Sequence, residues 1–221
     1  IVPYQMGFKE QTGIFISMPS YLALYLQKPA ILSEFSGDFL TQLFSLRVCS
    51  ALIPLLLLLL VWLGISLLIK RVIGKDRAFF CALLPVAVET AYLVYLNYPI
   101  SSTISLLVAV WAAYLLIGVK DKKIRIILFA ISIPILYVLI GGHTLMFIIS
   151  IAVLDYKSWR FNLPVAVAGV VAMLLMGHFY NLTLLDSILY PVITGYVLPP
   201  NVMFLLLPAA FLIAFLAAIF R

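Results

Sequence analysis

Apolar residues gather in long runs along this chain, and polar residues are confined to short gaps between them. About seven runs are long enough, or nearly so, to cross about 30 Å of hydrocarbon at roughly 1.5 Å per residue. They fall at residues 48–69, 78–97, 103–119, 124–141, 144–155, 163–180 and 201–220, the fifth being the shortest. A segment inside lipid must satisfy its own backbone hydrogen bonds, so each run predicts a helix. Pro54, Pro85, Pro134, Pro164 and Pro208 lie in or near these runs, where packed neighbours tolerate them as kinks. The expected fold is all-α, a polytopic transmembrane helix bundle over residues 45–221.

Residues 1–44 follow another pattern. Short apolar and polar groups alternate there, punctuated by Gly7, Gly13, Pro19, Pro29 and Gly37. The pattern predicts a leader of two or three short amphipathic helices at the membrane surface. Ser36, Gly37 and Asp38 are expected to cap the helix that runs into the first span. Residues 181–201 read as a second surface element. The chain opens on Ile1 rather than Met, and the expectation is a longer chain with a further span upstream.

Composition agrees with the pattern: 66% of residues are hydrophobic and 10% charged, against about 25% charged in soluble domains. Mean hydropathy is +1.23. The net charge of +6 is unevenly placed. Eleven of the fourteen Lys and Arg lie in "KRVIGKDR" (70–77), "KDKKIR" (120–125), "KSWR" (157–160) and Arg221. The alternate connections "NYPISS", "GGHT" and 181–200 hold none. By the positive-inside rule the basic loops are cytoplasmic and residues 1–44 lie outside. This spacing reports topology rather than a nucleic-acid surface, so membrane lipids are the expected partner and no nucleic acid is. Cys49 and Cys81 fall in or beside apolar runs without metal or CxxC spacing, as small buried hydrophobes do.

Candidate chemistry begins with Glu89, a carboxylate within an apolar run. Such residues usually face an interior and often mark function. Tyr92 sits about one turn above it and Pro85 about one turn below, on the same helix face. Two readings stay open: a carboxylate lining an outward-opening cavity, or a neutral Glu bonded to a neighbouring helix. His143, His178, Asn181 and Asp186 fall on the same outer side, as do Glu10, Glu34 and Asp38 of the leader. Asp76, Asp121 and Asp155 lie on the inner side beside Lys or Arg and read as surface charge pairs. There is no HExxH, no GxSxG and no phosphate-binding GxxxxGK[ST]. A divalent cation is the one cofactor the outer histidines and carboxylates suggest, although no metal-ligand spacing marks a site.

The layout resembles the GT-C class of membrane glycosyltransferases: an outer leader with surface helices and acidic residues, followed by spans joined through short loops. "YQMGFKEQ" and "SEFSGDFLTQLF" also resemble the opening of an uncharacterised family of bacterial inner-membrane proteins. The first resemblance implies transfer of a sugar from a polyprenyl-phosphate carrier to an acceptor at the outer face of that membrane. It makes Glu10, or else Asp38 or Glu34, the general base. Lys9 or Lys28 would offset the carrier phosphate, while Glu89, Tyr92, His143, His178 and Asp186 would contact substrate. The class usually carries an acidic pair early in its first loop, where this chain has the single Glu10. Two other readings compete. One is a transporter or flippase with Glu89 as its coupling carboxylate, although no internal repeat supports it. The other is a non-catalytic scaffold subunit whose leader docks a partner in a larger complex.

Overall fold

The computed structural model describes residues 23–73, 78–95, 98–155, 158–191 and 206–220. Every regular element among them is helical: α1 (Ile31–Gln42), α2 (Arg47–Ile73), α3 (Ala78–Cys81), α4 (Leu83–Leu93), α5 (Ile100–Ile117), α6 (Lys122–Ile140), α7 (Thr144–Leu154), α8 (Trp159–Phe179), α9 (Leu184–Leu189) and α10 (Leu206–Phe220). Among the described residues, four segments are long and apolar enough to cross a membrane: Val48–Val72, Ile100–Ile117, Lys122–Leu154 and Trp159–Phe179. Shorter apolar helices occupy Ala78–Leu93 and Leu206–Ile219.

Two of the seven expected runs are joined in the third of these segments. Lys122–Leu154 is a hairpin, because Arg125 at the start of α6 pairs with Asp155 just past the end of α7, with 2.9 Å between Nη2 and Oδ2. Its turn is the 3₁₀ element Gly141–His143. Gly141 has φ 66° and ψ −142°, a conformation that side chains with a Cβ resist. A Cβ on Gly142 would lie 1.8 Å from the Ile188 carbonyl oxygen. The run expected at 78–97 is also divided. Its hydrogen bonding is interrupted at Ala82, whose φ of −68° and ψ of −18° stay helical, and the Pro85 ring, which crowds the carbonyl four residues earlier, accounts for the interruption. Pro54, Pro134 and Pro164, by contrast, sit inside continuous helices.

Helix directions follow from the contacts. Gly64 of α2 lies against Val110 and Trp111 of α5, and the Arg71 guanidinium lies against Gly118, so α2 and α5 run parallel. Gly169 of α8 meets Ile133 of α6, and Arg125 donates to Ser158 Oγ at 3.4 Å, so those two also run parallel. Lys70, Arg71, Lys120, Lys122, Lys123, Arg125 and Arg160 therefore gather at one end of the bundle. Glu34, Asp38, His143, His178 and Asp186 lie at the other.

The core holds Ile65, Leu106, Phe129, Tyr137, Phe147, Phe211 and Phe215, all fully buried. Large apolar residues also cover the outside. Leu55, Leu56, Leu59 and Leu60 of α2 are exposed, as are Leu163, Val167, Val171 and Leu175 of α8. An apolar exterior of this extent marks a surface made for lipid.

The first described helix departs from the expected cap. Ser36, Gly37 and Asp38 lie inside α1, which follows Ala30 in the left-handed region at φ 66°. The reason is packing: Ser33, Gly37 and Thr41 form a buried stripe, and a Cβ on Gly37 would come 2.8 Å from Ser101 Cβ. Small residues let two helices approach closely in this way. The large residues Leu32, Phe35 and Phe39 point away and are exposed.

Candidate functional site

The acidic end holds two polar clusters. The first is built on α1, where Glu34 and Asp38 are one turn apart and share a face. Tyr25 donates its hydroxyl to Asp38 Oδ2 at 2.6 Å. Tyr190 donates a short hydrogen bond to Glu34 Oε1. Burial raises both carboxyls above their ordinary range, and it outweighs the opposing effects of the tyrosine hydrogen bonds and the Lys28 charge. Burial and the neighbouring Glu34 likewise push the Tyr190 phenol well up. Tyr190 also accepts from the Gly142 backbone N–H at 2.8 Å. One residue thus ties α1 to the α6–α7 turn.

An open apolar groove of about 480 Å³ adjoins this pair, lined by Tyr25, Leu26, Ile31, Leu32, Phe35 and Leu139. Tyr25 belongs to both features. Its ring meets Phe35 edge-on at 5.9 Å between centroids.

The second cluster surrounds Glu89, whose side chain is fully buried. Tyr98 donates to its two oxygens at 3.0 and 3.1 Å, and Thr103 donates to Oε1 at 2.7 Å. Glu89 therefore fastens α4 to the connection before α5 and to the first turn of α5. Tyr92 and Tyr98 have ring centroids 5.5 Å apart. Both line a small cavity of about 60 Å³ together with His143, Met146 and Leu207. The His143 Nδ1 atom is buried without a hydrogen-bond partner among the described residues.

The expected site residues are thus only partly gathered. Glu34, Asp38 and Lys28 come together, and Glu89, Tyr92 and His143 form a separate group. Asp186 exchanges hydrogen bonds with Thr183: the Thr183 hydroxyl donates to Oδ2 at 2.6 Å, and the Asp186 N–H donates back at 3.2 Å. This is a reciprocal cap on α9. His178 is exposed at the end of α8. Among the described residues neither the His178 nor the Asp186 side chain is hydrogen-bonded to either cluster, although the Tyr190 N–H donates to the Asp186 carbonyl at 2.8 Å. Lys9 and Glu10 lie outside the described residues. Among those described, no three His, Cys, Asp or Glu side chains converge to hold a metal ion.

The partners Tyr25, Tyr98, Thr103 and Tyr190 were not singled out from the sequence. Tyr98 carried a usable signal, since it follows the Glu89 run by one short turn. Tyr190 carried none, standing 156 positions from Glu34.

The model of a family described as "Family of unknown function (DUF6057)" matches residues 1–221. No curated protein and no solved structure matches the chain.

Proposed function

This chain belongs to the DUF6057 family, of unknown function, and we propose that it is a polytopic membrane transferase acting on a lipid-linked sugar at its acidic end. The observation that carries this reading is the double role of Tyr25, which holds Asp38 and lines the apolar groove. A polar headgroup at the carboxylates and an isoprenoid chain in the groove match that arrangement.

With the basic end cytoplasmic by the positive-inside rule, the pair faces out from a bacterial inner membrane. In this reading the shorter helices at Ala78–Leu93 and Leu206–Ile219 are tilted or partial spans, giving the seven crossings expected. Residues 23–44 belong to an outer leader resembling the first loop of the GT-C class. Asp38 is the general base, with Glu34 as its acidic neighbour. A carboxylate with a raised pKa is better matched to proton transfer near neutral pH than an ordinary one. The acceptor oxygen bonds to the anomeric carbon and passes its proton to Asp38. The bond from that carbon to the carrier phosphate breaks, and polyprenyl phosphate leaves with the electron pair. Lys28 offsets the phosphate charge. Glu89 serves as a helix staple beneath this site rather than as a transport group.

Photolabelling tests the substrate class. A benzophenone-tagged polyprenyl phosphate, added to the full-length protein in liposomes, should label the peptide over 23–43. Leu32→Trp, which fills the groove, should suppress that label. Labelling spread evenly over the exposed face of α8, and indifferent to excess unlabelled polyprenyl phosphate, would sink the reading.

A scaffold subunit is the second reading. It is favoured by the tyrosine hydrogen bonds on Glu34, Asp38 and Glu89, which also suit purely structural carboxyls. Under it, Asp38→Asn changes stability and retention of the larger complex, and polyprenyl phosphate gives no competable label over 23–43 even in the wild type.

A further inference from the structure

The basic end carries its own lipid-facing feature, far from the carboxylate pair. A groove of about 400 Å³ lies between α2 and α3, lined by Leu63, Ser66, Leu67, Lys70, Phe79 and Phe80. The four α2 residues are spaced i, i+3, i+4 and i+7, so they form one stripe along the helix. The opposite wall is held firmly. Trp62 Nε1 donates to the Phe79 carbonyl at 3.2 Å, and the Trp62 and Phe79 rings meet edge-on with centroids 4.1 Å apart.

The polar groups of the stripe stand apart from their neighbours. Arg71, the next residue, is fully engaged: it donates to the Tyr114 carbonyl at 3.1 Å and lies over the Tyr114 ring at 4.7 Å. Arg125 pairs with Asp155, and Lys122 lies over the Phe161 ring. Lys70 is exposed and has no hydrogen bond or ion pair among the described residues. The Ser66 hydroxyl is buried at the groove and has no hydrogen-bond partner among the described residues. A helix serine can donate to the carbonyl one turn back, as Ser105 and Ser150 do here, and Ser66 does not.

From Lys70 inward, the stripe passes from a cation to a hydroxyl to leucine. Lys70 and Ser66 are separated by about 6 Å along the axis, four residues at roughly 1.5 Å each. A phospholipid presents the same sequence of chemistry with depth: phosphate, glycerol ester, acyl chain. We infer that this groove is a binding site for one anionic phospholipid of the leaflet at the basic end, with its phosphate on Lys70, its ester region on Ser66 and an acyl chain between Leu63, Leu67 and Phe80. The net charge selects the lipid class, because an anionic headgroup is attracted where several Lys and Arg share an interface.

Native mass spectrometry of the full-length protein, released from vesicles of mixed phosphatidylglycerol and phosphatidylcholine, tests this. One phosphatidylglycerol should be retained per chain, and soluble glycerol phosphate should not displace it. Lys70→Gln and Ser66→Ala should each lower its occupancy by at least about threefold, and Leu67→Trp should abolish it by filling the groove. Lys123→Gln, an exposed cation at the same end, should leave occupancy unchanged. Equal retention of phosphatidylcholine, or an equal loss with Lys123→Gln, would show only a diffuse basic surface and overturn the assignment. Circular-dichroism unfolding of each variant beside the wild type separates loss of the lipid from loss of the fold.

Discussion

Replacing Glu89 by leucine should be among the most damaging single changes at the acidic end. The side chain is fully buried and accepts from two buried hydroxyls, those of Tyr98 and Thr103. Leucine has similar bulk but no acceptor, so both donors lose their partner. A buried donor left without a partner costs about 1–3 kcal/mol, which puts the variant roughly 2–6 kcal/mol below wild type. Glu89→Gln keeps one carbonyl acceptor and should cost about 1–2 kcal/mol on the same basis. Equilibrium unfolding of the purified protein, followed by circular dichroism in one fixed detergent, gives the comparison. Tyr98→Phe and Thr103→Val complete double-mutant cycles with Glu89→Leu, and both should show coupling, since residues in one hydrogen-bonded network are not additive. A Glu89→Leu protein as stable as wild type, with additive cycles, would refute the staple and return Glu89 to the functional candidates.

Gly142→Ala should prevent the α6–α7 turn from docking on α9, because its Cβ would lie 1.8 Å from the Ile188 carbonyl oxygen; limited proteolysis near residue 190 should become much faster. Arg125→Met should loosen the basic end of the same hairpin, leaving Asp155 without its cation, at about 1–3 kcal/mol in the same unfolding assay. The Glu34–Asp38 pair makes stability depend on pH in a set direction. Burial raises both carboxyls, so the native state holds protons more tightly than the unfolded chain. Their contribution is fully present below about pH 4 and is lost as pH rises through the raised native values. The double variant Glu34→Gln/Asp38→Asn should flatten that decline, and a wild-type stability that climbs across the same window contradicts the assigned sign.

Much of the architecture was legible in hydropathy and charge. The runs around 48–69 and 103–119 correspond to α2 and α5, since a long apolar segment leaves the backbone few alternatives. The basic clusters foretold a basic end because topology sorts Lys and Arg. Other features depend on tertiary fit and left only faint traces. Ser36, Gly37 and Asp38 read as a cap by composition, yet Gly37 serves a close approach to Ser101 that no local pattern announces. The break at Ala82 was foreshadowed by Pro85, while Pro134 and Pro164 sit in continuous helices, so proline alone does not settle where a helix stops. The candidate site was half legible. Its carboxylates stand out in so apolar a chain, but their tyrosine partners are lost among twelve tyrosines of ordinary appearance. The separation of Glu89 from the Glu34–Asp38 pair is likewise a matter of three-dimensional packing.

Sugar transfer by the full-length protein in liposomes tests the central claim most directly. A radiolabelled pool of polyprenyl-phosphate sugars would supply donors, and wild type would be compared with Asp38→Asn, Glu34→Gln and Glu10→Gln. The account predicts transfer by wild type and a fall of about 10²–10⁴-fold in Asp38→Asn, with the folded protein and its polyprenyl-phosphate labelling retained. No transfer from any donor in the pool, or transfer indifferent to all three changes, would contradict it.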